Sequence, residues 1–139
     1  MRYDALHTLA ILQGPDVLTV LKDTLRRDSS PLVREGAVRC CTVVEPRTAR
    51  TAEVLIAALR DPDPRVRECT ASLLRKGFNQ HFGFQPTARP EDREKAVRRW
   101  EEWYEANKTR LRWSAVHRRF ELPPEPGTRD SKTEEAASP

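Results

Sequence analysis

The chain has 139 residues, of which 37% are hydrophobic and 33% charged, with a formal charge of +4. That length fits one domain, and the polar balance suits a thin helical array whose units pack only on their neighbours. Eleven prolines against five glycines exclude a glycine-rich phosphate cradle, and so small a positive excess does not by itself imply nucleic acid.

In chain order, residues 1–13 read as a helix closed by Gly14-Pro15. Leu18, Leu21 and Leu25 then recur at i, i+3 and i+7, one face of a 3.6-residue period, up to a turn at Asp28. Ser29-Ser30-Pro31 opens a second helix with Val33, Ala37, Cys40, Cys41 and Val44 on its apolar face, and Glu45-Pro46 ends the unit. The pattern repeats: Ala52, Leu55 and Leu59, a turn at Asp61, Pro62-Asp63-Pro64, and a helix carrying Val66, Thr70, Leu73 and Leu74. Pro31 and Pro64 fit a first helical turn, where the missing N–H has no intrahelical partner to lose. Val33-Arg34-Glu35 reappears 33 residues later as Val66-Arg67-Glu68, and the preceding helices correspond at an offset of 34. Met1-Arg2-Tyr3-Asp4-Ala5 is an earlier copy of Val33-Arg34-Glu35-Gly36-Ala37. Self-similarity at this period marks a repeat architecture.

Leu59-Arg60-Asp61-x-Asp63-x-x-Val66-Arg67 resembles a HEAT repeat, of the short HEAT-like type also found in phycobilisome-lyase-associated proteins. Residues 28–34 match the pattern with one inserted residue. The resemblance implies an all-α fold, an α-solenoid of helix pairs over residues 1–78. It also implies a hydrogen-bonded ladder between units formed by Arg2, Asp28, Arg34, Asp61 and Arg67. Such arrays serve many partners, so the likeness speaks for fold far more than for function. The chain opens in the second helix of a unit, which leads to the expectation of a longer array, a late start or another chain stacked at that end.

Residues 79–122 change character. Phe78, Phe82 and Phe84 surround Gly83, and a helix is expected from Pro90 with Glu91, Asp92 and Glu94 near its positive end. Its face of Ala96, Val97, Trp100, Trp103 and Tyr104 reads as a cap folded over Leu73, Leu74 and the phenylalanines; the other reading is an exposed aromatic binding surface. Phe82-Gly83-Phe84-x-Pro86-Thr87-Ala88 followed by Ala96-Val97-x-x-Trp100-x-x-Trp103 resembles a segment that follows HEAT-like arrays in some bacterial proteins. Leu111 and Trp113 alternate with arginines, as do Phe120 and Leu122 with Arg119 and Glu121. That alternation favours a short β-hairpin with Ser114–His117 between its arms over a helix. From Pro123 onward the composition is that of a disordered tail.

The residue pattern carries no catalytic constellation. His7, His81 and His117 belong to separate elements, and no metal-ligand spacing is present. Cys40, Cys41 and Cys69 fit buried helix positions, with no base to activate a thiol. No cofactor is expected, and no segment reads as a membrane span or signal peptide, which points to the cytoplasm. The expected function is a non-catalytic, protein-binding scaffold. Its surface would be the outward positions of the second helices, in columns of Tyr3, Glu35 and Glu68; His7, Arg39 and Ser72; and Ala10, Thr42 and Arg75. Two other readings stand beside it. Lys108, Arg110, Arg112, Arg118 and Arg119 around Trp113 suit phosphate contact and base stacking, although Glu101, Glu102 and Glu105 are placed to neutralise them. An accessory subunit of a chromophore lyase is the third, drawn from the resemblance alone.

Overall fold

The computed structural model describes residues 17–44 and 48–123. Arg2, Tyr3, His7 and Ala10 therefore lie outside the described residues, as does the tail from residue 124. The described residues form five helices and one two-stranded sheet: α1 (Leu18–Arg27), α2 (Pro31–Cys40), α3 (Arg50–Ala58), α4 (Pro64–Phe78), α5 (Pro90–Asn107), β1 (Arg112–Ser114) and β2 (Arg119–Glu121). No helix among them is long and apolar enough to cross a membrane.

Local chemistry sets the helix boundaries. Pro31 and Pro64 stand in the first turns of α2 and α4. Ser30 Oγ accepts from the Val33 amide at 3.4 Å, and Asp63 Oδ1 from the Arg65 amide at 2.8 Å, each satisfying a donor that a helix start leaves open. Two residues earlier the two turns match again: Asp28 Oδ1 accepts from Ser30 N and Asp61 Oδ1 from Asp63 N, both at 2.9 Å. α4 ends on Asn79, whose left-handed φ of 54° is the conformation asparagine tolerates at a helix C-terminus.

The helices pack in two layers. α1 lies against α2 and α3; α2 lies against α4; α3 lies against α4 and α5; β2 lies against α4. The first helices α1 and α3 thus continue into α5, and the second helices α2 and α4 continue into the hairpin. Leu18, Leu21, Ala52, Leu55 and Leu59 are buried from the first layer, and Ala37, Val38, Cys40, Val66, Thr70 and Leu74 from the second. α2 is covered on more sides than its apolar pattern suggested, because Gly36 and Val38 are buried too. Leu73, grouped with Leu74 from the sequence, is only half-buried.

The C-terminal elements close the stack through aromatic rings. Ala96, Val97, Trp100 and Tyr104 of α5 are buried, and Trp103 is partly so. Phe78 meets Trp100 and Trp103 edge-on, at centroid distances of 6.3 and 6.0 Å, and stacks on Phe120 at 4.8 Å. Phe82 sits edge-on to Trp100 at 4.8 Å, which offsets its positive φ of 50°. The hairpin pairs Trp113 with Phe120, so its loop is Ala115–Arg118, one residue later than the alternation placed it. Arg118 fills the left-handed slot before β2 with a φ of 55°, where a short hairpin loop often takes glycine.

Ala37 is completely buried in the seam between the helix pairs. Ala37→Arg therefore forces an uncompensated charge into that seam and should cost about 3 kcal/mol or more. Thermal and urea unfolding measure this; an unchanged melting temperature would show that the α2 seam has been misplaced.

Candidate functional site

The most constrained polar chemistry joins the two helix pairs. Arg34 donates from Nε to Asp61 Oδ2 at 2.8 Å and from Nη2 to Oδ1 at 3.1 Å, with side chains only 10% and 3% exposed. Arg34 Nη1 also donates to the Asp28 carbonyl at 2.9 Å. One guanidinium thus ties the turn of its own pair to the carboxylate of the next. The hydrogen bonds to Asp61 hold the Arg34 proton more tightly than usual, against the opposing effect of burial. Arg67 repeats part of this: Nη1 donates to the Asp61 carbonyl at 2.9 Å. Its Nε, however, donates to the Pro86 carbonyl at 3.0 Å in place of a carboxylate. Burial and the nearby Arg93 charge accordingly lower its pKa.

The outward positions of the second helices lie on one accessible side. Arg39, Glu68 and Arg75 are exposed, and Glu35, Thr42 and Ser72 are half-exposed. Arg39 pairs with Glu35 at 3.2 Å, and the Thr42 hydroxyl donates to the Arg39 carbonyl at 2.7 Å. The surface is mixed in charge, which suits polar protein groups better than a phosphate backbone.

The basic segment is mostly occupied by its own neighbours. Lys108 pairs with Glu105 at 2.8 Å and Arg119 with Glu121 at 3.3 Å. Arg110 donates to the Pro123 carbonyl, and Arg112 to the carbonyls of Thr109 and Leu111. Glu105 neutralises as the sequence suggested, but Glu101 is held elsewhere. Arg60 clamps both Glu94, at 2.7 Å, and Glu101, at 3.0 Å, fixing α5 to the turn before α4. That clamp holds the Glu94 carboxyl below the usual glutamate range. Sequence reading missed it, because the partners lie 34 and 41 residues from Arg60 and no local pattern links them.

Two groupings have the residue types of catalysis without its geometry. Ser114 Oγ and Glu121 Oε1 both approach His117 Nδ1, at 3.4 and 3.1 Å. A relay needs the hydroxyl and the carboxylate on opposite ring nitrogens, so this trio braces the hairpin. Desolvation raises all three thiols, and Cys41 is pushed up to about 12, with the Cys40 thiol adding to the shift. Among the described residues no group of three or more His, Cys, Asp or Glu side chains is placed to hold a metal.

A cavity of about 420 Å³ opens where Cys41–Val43 after α2 meets α3, α4 and the hairpin. Compared with known proteins, the chain matches no family model, no curated protein and no solved structure.

The thiol chemistry gives a direct check. At pH 8 iodoacetamide should modify native Cys69, which is partly exposed, while Cys40 and Cys41 react only after unfolding. Mass spectrometry of the labelled native protein reads this; rapid labelling of Cys41 would mean an activated, accessible thiol.

Proposed function

We propose that the chain is a non-catalytic, protein-binding scaffold built from short HEAT-like helix pairs stacked as an α-solenoid. The partner-binding surface is the outward face of the second helices, with Glu35, Arg39, Thr42, Glu68, Ser72 and Arg75 as its described members. One observation carries the reading: two turns 33 residues apart make the same hydrogen bonds. Asp28 Oδ1 receives the Ser30 amide as Asp61 Oδ1 receives that of Asp63, and Arg34 Nη1 holds the Asp28 carbonyl as Arg67 Nη1 holds that of Asp61. A unit that repeats both its apolar pattern and its polar turn is the building block of a stacked array.

The reading as a protein binder is favoured over nucleic-acid binding by the state of the basic segment. Lys108 and Arg119 already hold carboxylates, and Arg110 and Arg112 already hold carbonyls. A phosphate would have to displace those contacts, and the remaining charge is too sparse for a continuous stripe.

Affinity capture with mass spectrometry, run on the native chain and on Arg39→Glu/Arg75→Glu, tests the surface. Both residues are exposed, so the double variant should keep its melting temperature within about 1 kcal/mol of equivalent stability and lose the captured partner. If capture survives it and fails instead in Arg112→Glu/Arg118→Glu, the binding site is on the hairpin and the second-helix face is not used.

A further inference from the structure

The 420 Å³ cavity combines two features. Its lining includes Leu73 and Phe78 of α4 and Trp113 and Phe120 of the hairpin, with Phe78 and Phe120 stacked on each other. The same lining includes two cations, Lys76 and Arg118, and no carboxylate. Both are exposed, and among the described residues neither side chain makes a hydrogen bond or ion pair. Nearby cations such as Arg39, Lys108 and Arg119 are paired, with Glu35, Glu105 and Glu121. Arg65 and Arg75 of the same helix as Lys76 are exposed as well but do not line the hollow, so Lys76 and Arg118 are the two cations set at its apolar walls.

An occupant must satisfy both features. Free phosphate would use the cations and leave the aromatic and aliphatic walls wet, and a nucleic-acid strand would need further free cations along its path, where Arg110, Arg112 and Arg119 already hold carbonyls or a carboxylate. A purely apolar group would fill the hollow and bring nothing to Lys76 and Arg118. An apolar side chain flanked by carboxylates does both, because the anchor leaves water as its neighbours meet opposite charge. The hollow is open to solvent and includes Thr42, which belongs to the outward second-helix face. A chain anchored here can therefore run on across that face, which a free small molecule would not reach.

We propose that this cavity seats the apolar anchor residue of an acidic peptide segment in a protein partner, with its flanking carboxylates on Lys76 and Arg118. The proposal rests on the protein-binding reading above and specifies the partner's chemistry.

Two variants isolate the cavity without touching the core. Lys76→Glu/Arg118→Glu reverses the charge of two exposed side chains. Gly77→Leu adds bulk within the lining, at a position where a Cβ meets no heavy atom within 4 Å. Selection of a random heptapeptide library on the whole native chain should enrich peptides carrying a Phe, Trp, Leu or Ile between Asp or Glu residues. The selected peptide, synthesised and titrated by isothermal calorimetry, should lose affinity at least about tenfold in each variant. It should bind Arg39→Glu/Arg75→Glu nearly as well as the native chain. Circular dichroism melts of all variants confirm that they fold.

Enrichment of peptides without acidic residues overturns the proposal, as does affinity unchanged by both cavity variants. A peptide lost only with Arg39→Glu/Arg75→Glu overturns the cavity and leaves the protein-binding reading standing. An empty selection also overturns the cavity alone, since a heptapeptide library does not represent a folded partner, and affinity capture still decides the wider reading. Binding of decanoate with an empty selection would assign the hollow to a small amphiphilic carboxylate instead.

Discussion

The arrangement of the helices depends on one buried ionic bridge, Arg34 to Asp61. Taking a guanidinium and a carboxylate out of water costs several kcal/mol each in real proteins, roughly speaking, and only good geometry with every remaining donor satisfied offsets that cost. Here the geometry is bidentate, the third guanidinium nitrogen holds the Asp28 carbonyl, and Asp61 in turn receives the Asp63 amide. The bridge adds little net stability compared with apolar packing. Its effect is on relative position: α2 can meet α4 only in the register that brings Arg34 to Asp61, since any slip leaves a buried charge without its partner.

The far end of the stack shows what happens when the next carboxylate is absent. Arg67 sits as Arg34 does with respect to its own turn, but its Nε reaches the Pro86 carbonyl in the segment leading to α5. Beyond that segment, α5 packs on α3 and β2 on α4. They close the end with aromatic rings on one side and the Arg60 clamp on the other. The cavity beside Leu73 and Phe78 lies where the hairpin meets α3, α4 and the turn after α2, so the proposed peptide site follows from how this end is closed.

Much of this was legible in the sequence wherever the signal was local or repeated. The helices followed from Leu18, Leu21 and Leu25 and their copies, the starts from Pro31 and Pro64, and the hairpin from the alternation around Trp113 and Phe120. Side-chain partners were legible only where the repeat placed them, as with Arg34 and Asp61, whereas the Pro86 carbonyl that Arg67 Nε reaches was not. The Arg60 clamp was not, because charge pairing between distant helices leaves no periodicity to read. The hairpin loop was placed one residue early, because alternation locates strands better than turn residues, and Arg118 occupies a left-handed slot that its side chain does not advertise. That the Lys76 side chain has no partner among the described residues was equally hidden, since it depends on which carboxylates other cations have already taken.

A double-mutant cycle across the bridge tests the account most directly, using urea unfolding of the native chain, Arg34→Met, Asp61→Asn and the double variant. Each single change leaves a buried charge without its partner and should cost about 3 kcal/mol, while the double should cost less than their sum by about 2 kcal/mol or more. Singles near zero, or a double equal to the sum of the singles, would contradict the claim that this bridge sets the register of the stack.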